Sequence, residues 1–547
     1  MASKKNLRNL WHGGQFVRMG MLSLSICAGT LALTTTSCRV TDGDVQAWAK
    51  KASGPRKLVA VLQHDKYDMD LRIAAAVTLV SMAPRGGHAV GLVGDDEFVG
   101  LLDGLSEMSA EDRLPIINGM VPVLEEKIIA IPGDEETDNS FQYKDAAFAL
   151  LTHGDKGLVA DQTSKERLTV ALTKWSQVSF EKRLDDTTQL YGMEQILRYV
   201  RAPGVRGLTP LIEGDFKKLR VLAKLIAELG DDATKLDASA RMVKLARHID
   251  SAAWIKQKAP AVEAANKASG LTVKKKQFEK QLEAYQAEEL LRMFGAMKSV
   301  GQKPIVEYLL AYADNKRNPA KRRAAALAGL EGHLDRKNEA QATAMVDFLS
   351  NDESPDSLRD VAALRVGELS RDQVSEKLYG LFDHKRWQLR WTVASLLLKM
   401  SKEKDMDEFM EKLGKVRTMA ITEPFSYGKL FKEVKGAKPK QLAEKFSARK
   451  YPATVRLSAL GYYYEAGSKN DVSTLEAFKS DGTRVPSCPP AAQQCAWDCT
   501  VPSKDPTKPA QLKTVKTVGN FVSYCLLPAI RNREPIVEKK PSSGAKK

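Results

Sequence analysis

Thiols are nearly absent from this chain. Of six cysteines, Cys27 and Cys38 lie near the start and Cys488, Cys495, Cys499 and Cys525 near the end, leaving about 450 residues with none. Aromatic residues make up only 7%, and the abundance of Ala, Leu, Lys and Glu favours helix over a sandwich or barrel. After residue 33 no segment reaches ~18 uninterrupted apolar residues, which excludes a later membrane span. The seven histidines, at 12, 64, 88, 153, 248, 333 and 384, never form H-E-x-x-H. There is no G-x-S-x-G elbow, no P-loop and no G-x-G-x-x-G. Acidic pairs such as Asp95-Asp96, Asp185-Asp186 and Asp231-Asp232 stand at loops or helix starts, where they suit caps and the helix dipole better than a catalytic dyad. No catalytic residue, metal ligand, cofactor or small-molecule substrate is therefore expected.

What is present is length and apolar material. With 547 residues, 43% of them hydrophobic, the chain must form several domains or a repeat array, and wholesale disorder is excluded. Its formal charge is +16; Lys4, Lys5, Arg8 and Arg18 supply four of these within residues 1–37, leaving +12. Those four residues form a basic region ahead of a fifteen-residue apolar stretch, Met19 to Leu33. That stretch is too short to cross ~30 Å of hydrocarbon and suits a signal sequence. Thr34-Thr35-Thr36-Ser37-Cys38 follows. It resembles the lipobox of bacterial lipoproteins, although Thr35 stands where Leu is preferred. The resemblance implies that Cys38 is acylated and becomes the new N-terminus, holding the chain on a membrane through its acyl chains. Arg39, in place of Asp, implies the outer membrane, facing the periplasm; secretion and inner-membrane anchoring are the alternatives.

The four late cysteines fit export, since a local, even-numbered cluster suits disulfides in an oxidising compartment. A Cys₄ zinc site is the competing reading, but the cluster lacks paired C-x₂-C knuckles. Three pairings of Cys488, Cys495, Cys499 and Cys525 are possible, and spacing does not choose among them.

Between these ends one pattern recurs: a long or apolar residue, Arg, two residues, then small or apolar residues at helical spacing. Its arginines are Arg72, Arg220, Arg322, Arg359, Arg390 and Arg456. The gaps of 37 and 31 residues are single periods, and the others are near multiples. Most copies follow a short apolar helix and a polar turn, as in Leu58–Leu62 then His64-Asp65, or Met345–Leu349 then Asn351-Asp352. Each unit reads as helix A, a tight turn and helix B. The arginine stem packs while its head stays in water or reaches the adjacent turn. One such unit cannot bury its own apolar face, so units must stack.

The pattern resembles the short HEAT-like repeat family, clearly over residues 304–400 and more weakly at 55–82 and 205–230. The resemblance implies an all-α superhelical solenoid of stacked antiparallel helix pairs, ended by a disulfide-stapled C-terminal cap. The expected divisions are a signal peptide (1–37), two solenoid halves (38–270 and 271–480), a cysteine-rich cap with the last helix (481–530) and a disordered basic tail (531–547). Gln277 to Lys298 reads as one longer helix after a possible hinge at Gly270 and Lys274-Lys275-Lys276. The expected function is a lipid-anchored, non-enzymatic scaffold that binds partner proteins along its surface, with no nucleic acid. The alternatives are a HEAT-like enzyme of the lyase type, or a structural subunit of an envelope motility, secretion or assembly complex.

Overall fold

The computed structural model describes residues 39–535 except 84–88, 95–98, 132–137, 187–188, 215, 490–495 and 504–508. Among these residues the chain is overwhelmingly helical. Its one sheet is a two-stranded antiparallel hairpin, β1 (Asp498–Val501) and β2 (Gln511–Thr514), with Cys499 opposite Lys513. Contact density divides the chain into residues 1–120 and 121–547, a division that falls within the helix Ala110–Ile129.

Four connections between consecutive helices are built alike. Each begins at the residue closing a helix: His64, Asn315, Asn351 or Ala448. Three residues on, a backbone N–H returns to that residue's carbonyl: Tyr67 to His64 (3.2 Å), Asn318 to Asn315 (3.0 Å), Ser354 to Asn351 (3.0 Å) and Tyr451 to Ala448 (3.1 Å). Next comes the N-cap of the following helix: Asp68, Pro319, Pro355 or Pro452. All four have φ between −56° and −58° and ψ between 138° and 158°. Proline fixes that φ at no cost and has no N–H to leave unpaired at a helix start. In two of the turns the opening asparagine also accepts from the backbone two residues on, Arg317 N at 3.1 Å and Glu353 N at 2.9 Å.

Eight positions after each opening residue stands an arginine: Arg72, Arg323, Arg359 and Arg456. Each donates back to a carbonyl at the end of the preceding helix. Arg72 Nε reaches Leu62 O (2.9 Å), Arg323 Nε reaches Ala313 O (2.6 Å), Arg456 Nε reaches Ser447 O (3.3 Å) and Arg359 Nη1 reaches Asn351 O (3.1 Å). The last carbonyls of a helix have no intrahelical partner, so a donor is required wherever that end is buried. In the third copy the turn-equivalent arginine is Arg323, one residue beyond the Arg322 of the sequence pattern. Arg322 instead donates to Glu283 O (3.2 Å) and Gln286 Oε1 (3.4 Å) of the helix Lys275–Val300.

Beyond residue 121, helices touch their neighbours one and two places along the chain. Asp356–Val366 packs on Glu339–Ser350 and also on Ala320–Ala328, and Thr422–Leu430 packs on both Trp387–Met400 and Ala453–Ala466. The last of these contacts is so close that a Cβ on Gly428 or Gly461 would overlap the facing backbone. Surface ion pairs repeat the same offset: Lys298–Glu331, Lys316–Glu353, Lys377–Glu339 and Lys412–Glu376 link residues 33 to 38 apart. Solvent screens such exposed pairs, so they mark register more than they supply stability.

Near the C-terminus, Cys499 on β1 is disulfide-bonded to Cys525, with Cα atoms 5.4 Å apart. This ties the hairpin to the wide helical turn Val522–Leu526, which packs on Ala453–Ala466. Cys488 is also disulfide-bonded. Its partner lies outside the described residues, as do Cys27, Cys38, Cys495, the segment 1–37 and most of the tail.

The turn arginines carry a direct prediction. Arg323→Met, which keeps the stem but leaves the Ala313 carbonyl without its donor, should lower unfolding free energy by about 1–3 kcal/mol in urea titrations. Arg220→Ala, at an exposed position, should stay within about 0.5 kcal/mol.

Candidate functional site

The helix Trp387–Met400 buries Leu389, Val393, Ala394, Leu397 and Leu398. The 3.6-residue repeat sets Trp387, Trp391 and Lys399 in one stripe, spaced by four with the buried Ser395 between the last two. That stripe forms one wall of an open groove of about 650 Å³. The facing wall is Phe425, Ser426, Lys429 and Leu430, continued by Lys432 and Glu433, and Glu465 closes the side. Trp391 is 39% exposed and Tyr464, whose ring lies 4.3 Å from that of Phe425, is 38% exposed. Phe425 is held from behind by Phe521, stacked at 5.2 Å.

The two walls are fixed at both ends. At one end Arg390, wholly buried, donates to the equally buried Glu423 (2.5 Å) and to Thr418 O and Oγ1 (3.1 Å each). Glu423 also accepts from Ala420 N (2.5 Å) and Tyr427 Oη (2.8 Å). Burial pushes the Glu423 carboxyl above the usual range against the opposing pull of Arg390, and pushes the Tyr427 phenol well up. At the other end Lys435 N donates to Ser401 O (3.1 Å). The two helices thus run in the same direction, and the groove acquires a polarity: aromatic rings at one end, lysines at the other.

A second polar centre is buried around Trp175. Arg183 donates to Asp138 (2.7 Å), Trp175 O (2.6 Å) and Ser140 Oγ (3.3 Å), and Trp175 Nε1 donates to Ser140 Oγ (2.8 Å). The Arg183 and Lys144 cations lie 4.7 and 4.9 Å from the indole ring. Lys144 donates to Asp145 (2.5 Å), whose carboxylate accepts from Leu190 N and Tyr191 N, both at 3.0 Å. Burial pushes the Lys144 ammonium below the usual lysine range, with Asp145 opposing. Asp138 meets the opposite balance: burial raises its pKa, but hydrogen bonds from Arg183 and Ser140 outweigh that and hold the carboxyl low. Among the described residues each of these groups is paired with another, and the centre fixes the Leu190-Tyr191 loop.

The sequence pattern's arginines are not brought together. Arg72, Arg359 and Arg456 each serve their own turn, and Arg456 also pairs with buried Asp481. Arg220 lies over Gly295, Arg322 reaches the Lys275–Val300 helix, and Arg390 alone belongs to the groove, as its brace. His384 is a turn residue whose Nδ1 accepts from Arg386 N at 3.2 Å. Among the described residues no three His, Cys, Asp or Glu side chains converge as metal ligands, and no helix is long and apolar enough to cross a membrane. The groove itself was not anticipated. Its only sequence signal is the four-residue spacing of Trp387, Trp391, Ser395 and Lys399, which the repeat pattern absorbed. No protein-family model matches the sequence, and no curated protein matches it.

Asp138 gives a pH test. Its folded pKa lies below the unfolded value of about 3.9, so its stabilisation is complete above that value and is lost as pH falls towards the folded pKa. Asp138→Asn should cost about 3 kcal/mol at pH 7 by leaving Arg183 unpaired in the interior. The penalty should shrink in thermal melts taken from pH 5 down to pH 3.

Proposed function

We propose that this chain is a lipid-anchored, HEAT-like scaffold that binds partner proteins at the periplasmic side of a bacterial cell envelope. The observation that carries the reading is the repeated turn. Helix end, i+3 return bond, extended N-cap and back-reaching arginine recur at His64, Asn315, Asn351 and Ala448, two of them 36 residues apart. With contacts to the next helix and the next but one, this is how stacked helical hairpins bury faces that no single hairpin can bury. Such stacking yields extended surface in place of a converging cleft, which favours binding over turnover. Cys38 would supply the anchor, and the disulfide near the C-terminus fits an oxidising compartment.

Two measurements test the reading. Cys38→Ala should release the chain from the membrane fraction, and globomycin should cause the unprocessed precursor to accumulate. Chemical crosslinking in intact envelopes, followed by pull-down, should recover discrete partner proteins. An unlipidated chain that crosslinks to nothing specific would exclude it.

A further inference from the structure

The groove between Trp387–Met400 and Thr422–Leu430 combines three properties that do not follow from the packing of its walls. Its aromatic end is open: Trp391 keeps 39% of its surface in water although the helix has a complete apolar face elsewhere. Large rigid rings of this kind, set beside a depression, dominate binding energy at protein interfaces. Its other end is net basic, with Lys399, Lys429 and Lys432 set against Glu433 and Glu465. Lys429 pairs with Glu465 at 3.6 Å, whereas Lys399 and Lys432 meet no carboxylate among the described residues. Lysines one unit apart from a glutamate elsewhere on this surface are paired: Lys298, Lys316, Lys377 and Lys412. A helix C-terminus accounts for the placing of Lys399, and of Lys432 in the turn Phe431–Glu433, but it neutralises neither ammonium with a carboxylate and does not account for the rings. The third property is rigidity. The Arg390–Glu423 pair at one end and the Lys435–Ser401 backbone bond at the other tie the walls to each other, so little ordering is left to be done on binding.

We propose that this groove docks an acidic segment of a partner protein. A large apolar or aromatic side chain lies against Trp391 and Phe425, and carboxylates meet Lys399 and Lys432. From Trp387 to Lys399 the stripe runs ~18 Å at 1.5 Å per residue, the length of about three helical turns, and 650 Å³ accommodates a few side chains. The inference rests on the scaffold reading and names its site and the chemistry of its partner.

The test uses the purified full chain. A random twelve-residue phage-displayed library is panned against it, and the enriched peptides are synthesised and titrated by fluorescence polarisation. The expected peptides carry two or more Asp or Glu residues and one large apolar residue. Trp391→Ala should weaken them at least tenfold, Lys399→Gln with Lys432→Gln about tenfold, and 0.5 M salt should weaken them further. Circular dichroism should show all variants folded, since the three residues are exposed. Peptides that bind Trp391→Ala unchanged, peptides without acids, or no enrichment at all would overturn the proposal. So would Trp391-dependent binding of dextran sulfate or phosphatidylglycerol vesicles without any peptide, which would assign the groove to a glycan or a lipid surface. Specific crosslinks in intact envelopes alongside a failed selection would leave the scaffold reading standing and remove only the groove.

Discussion

A helix that ends inside a protein leaves carbonyl oxygens that must find donors. In this chain the recurring donor is an arginine from the next helix, reaching back over a four-residue turn. Arg72, Arg323 and Arg456 are buried and each directs Nε to a carbonyl in or beside the last turn of the preceding helix. The bond does two things at once. It removes the penalty of an unsatisfied buried acceptor, about 1–3 kcal/mol, and it fixes the second helix of the pair against the first. Lysine would not substitute, because a planar guanidinium can bond through Nε and still offer its outer nitrogens elsewhere. Arg456 uses that spare capacity on Thr483 and Asp481.

Once pairs are fixed, their apolar faces set the next level. Contacts to the second-nearest helix, close glycine crossings at Gly428 and Gly461, and ion pairs offset by 33 to 38 residues all express one register. Where register is locked by a buried charge pair, as between Arg390 and Glu423, the surface above it gains a defined shape. The groove and its brace are one construction: Arg390 is held in the interior, and Trp391, the next residue along, is turned outwards.

The sequence made the helical class legible through composition and spacing, and it located the turns at His64 and Asn351. It misplaced one arginine because Lys321-Arg322-Arg323 offers three adjacent cations, and only the geometry of the turn shows which stem lies over the helix end. Arg220 and Arg390 match the linear pattern equally well, yet one lies exposed over Gly295 and the other is wholly buried in a different contact. Local pattern cannot tell these apart, since burial is decided by whichever helix arrives from elsewhere in the chain. The polar centre at Asp138, Ser140, Lys144 and Arg183 was invisible for the same reason: its members are separated by up to 45 residues.

By itself the sequence determined that this chain is helical, repetitive and nearly free of thiols until its end, because periodicity and composition act through near neighbours. Tertiary structure alone decided which arginine closes each turn, that Cys499 joins Cys525, and that two tryptophans and two unpaired lysines share a groove. Those outcomes depend on distances between segments far apart in the chain, and they are fixed only when one helix face meets another.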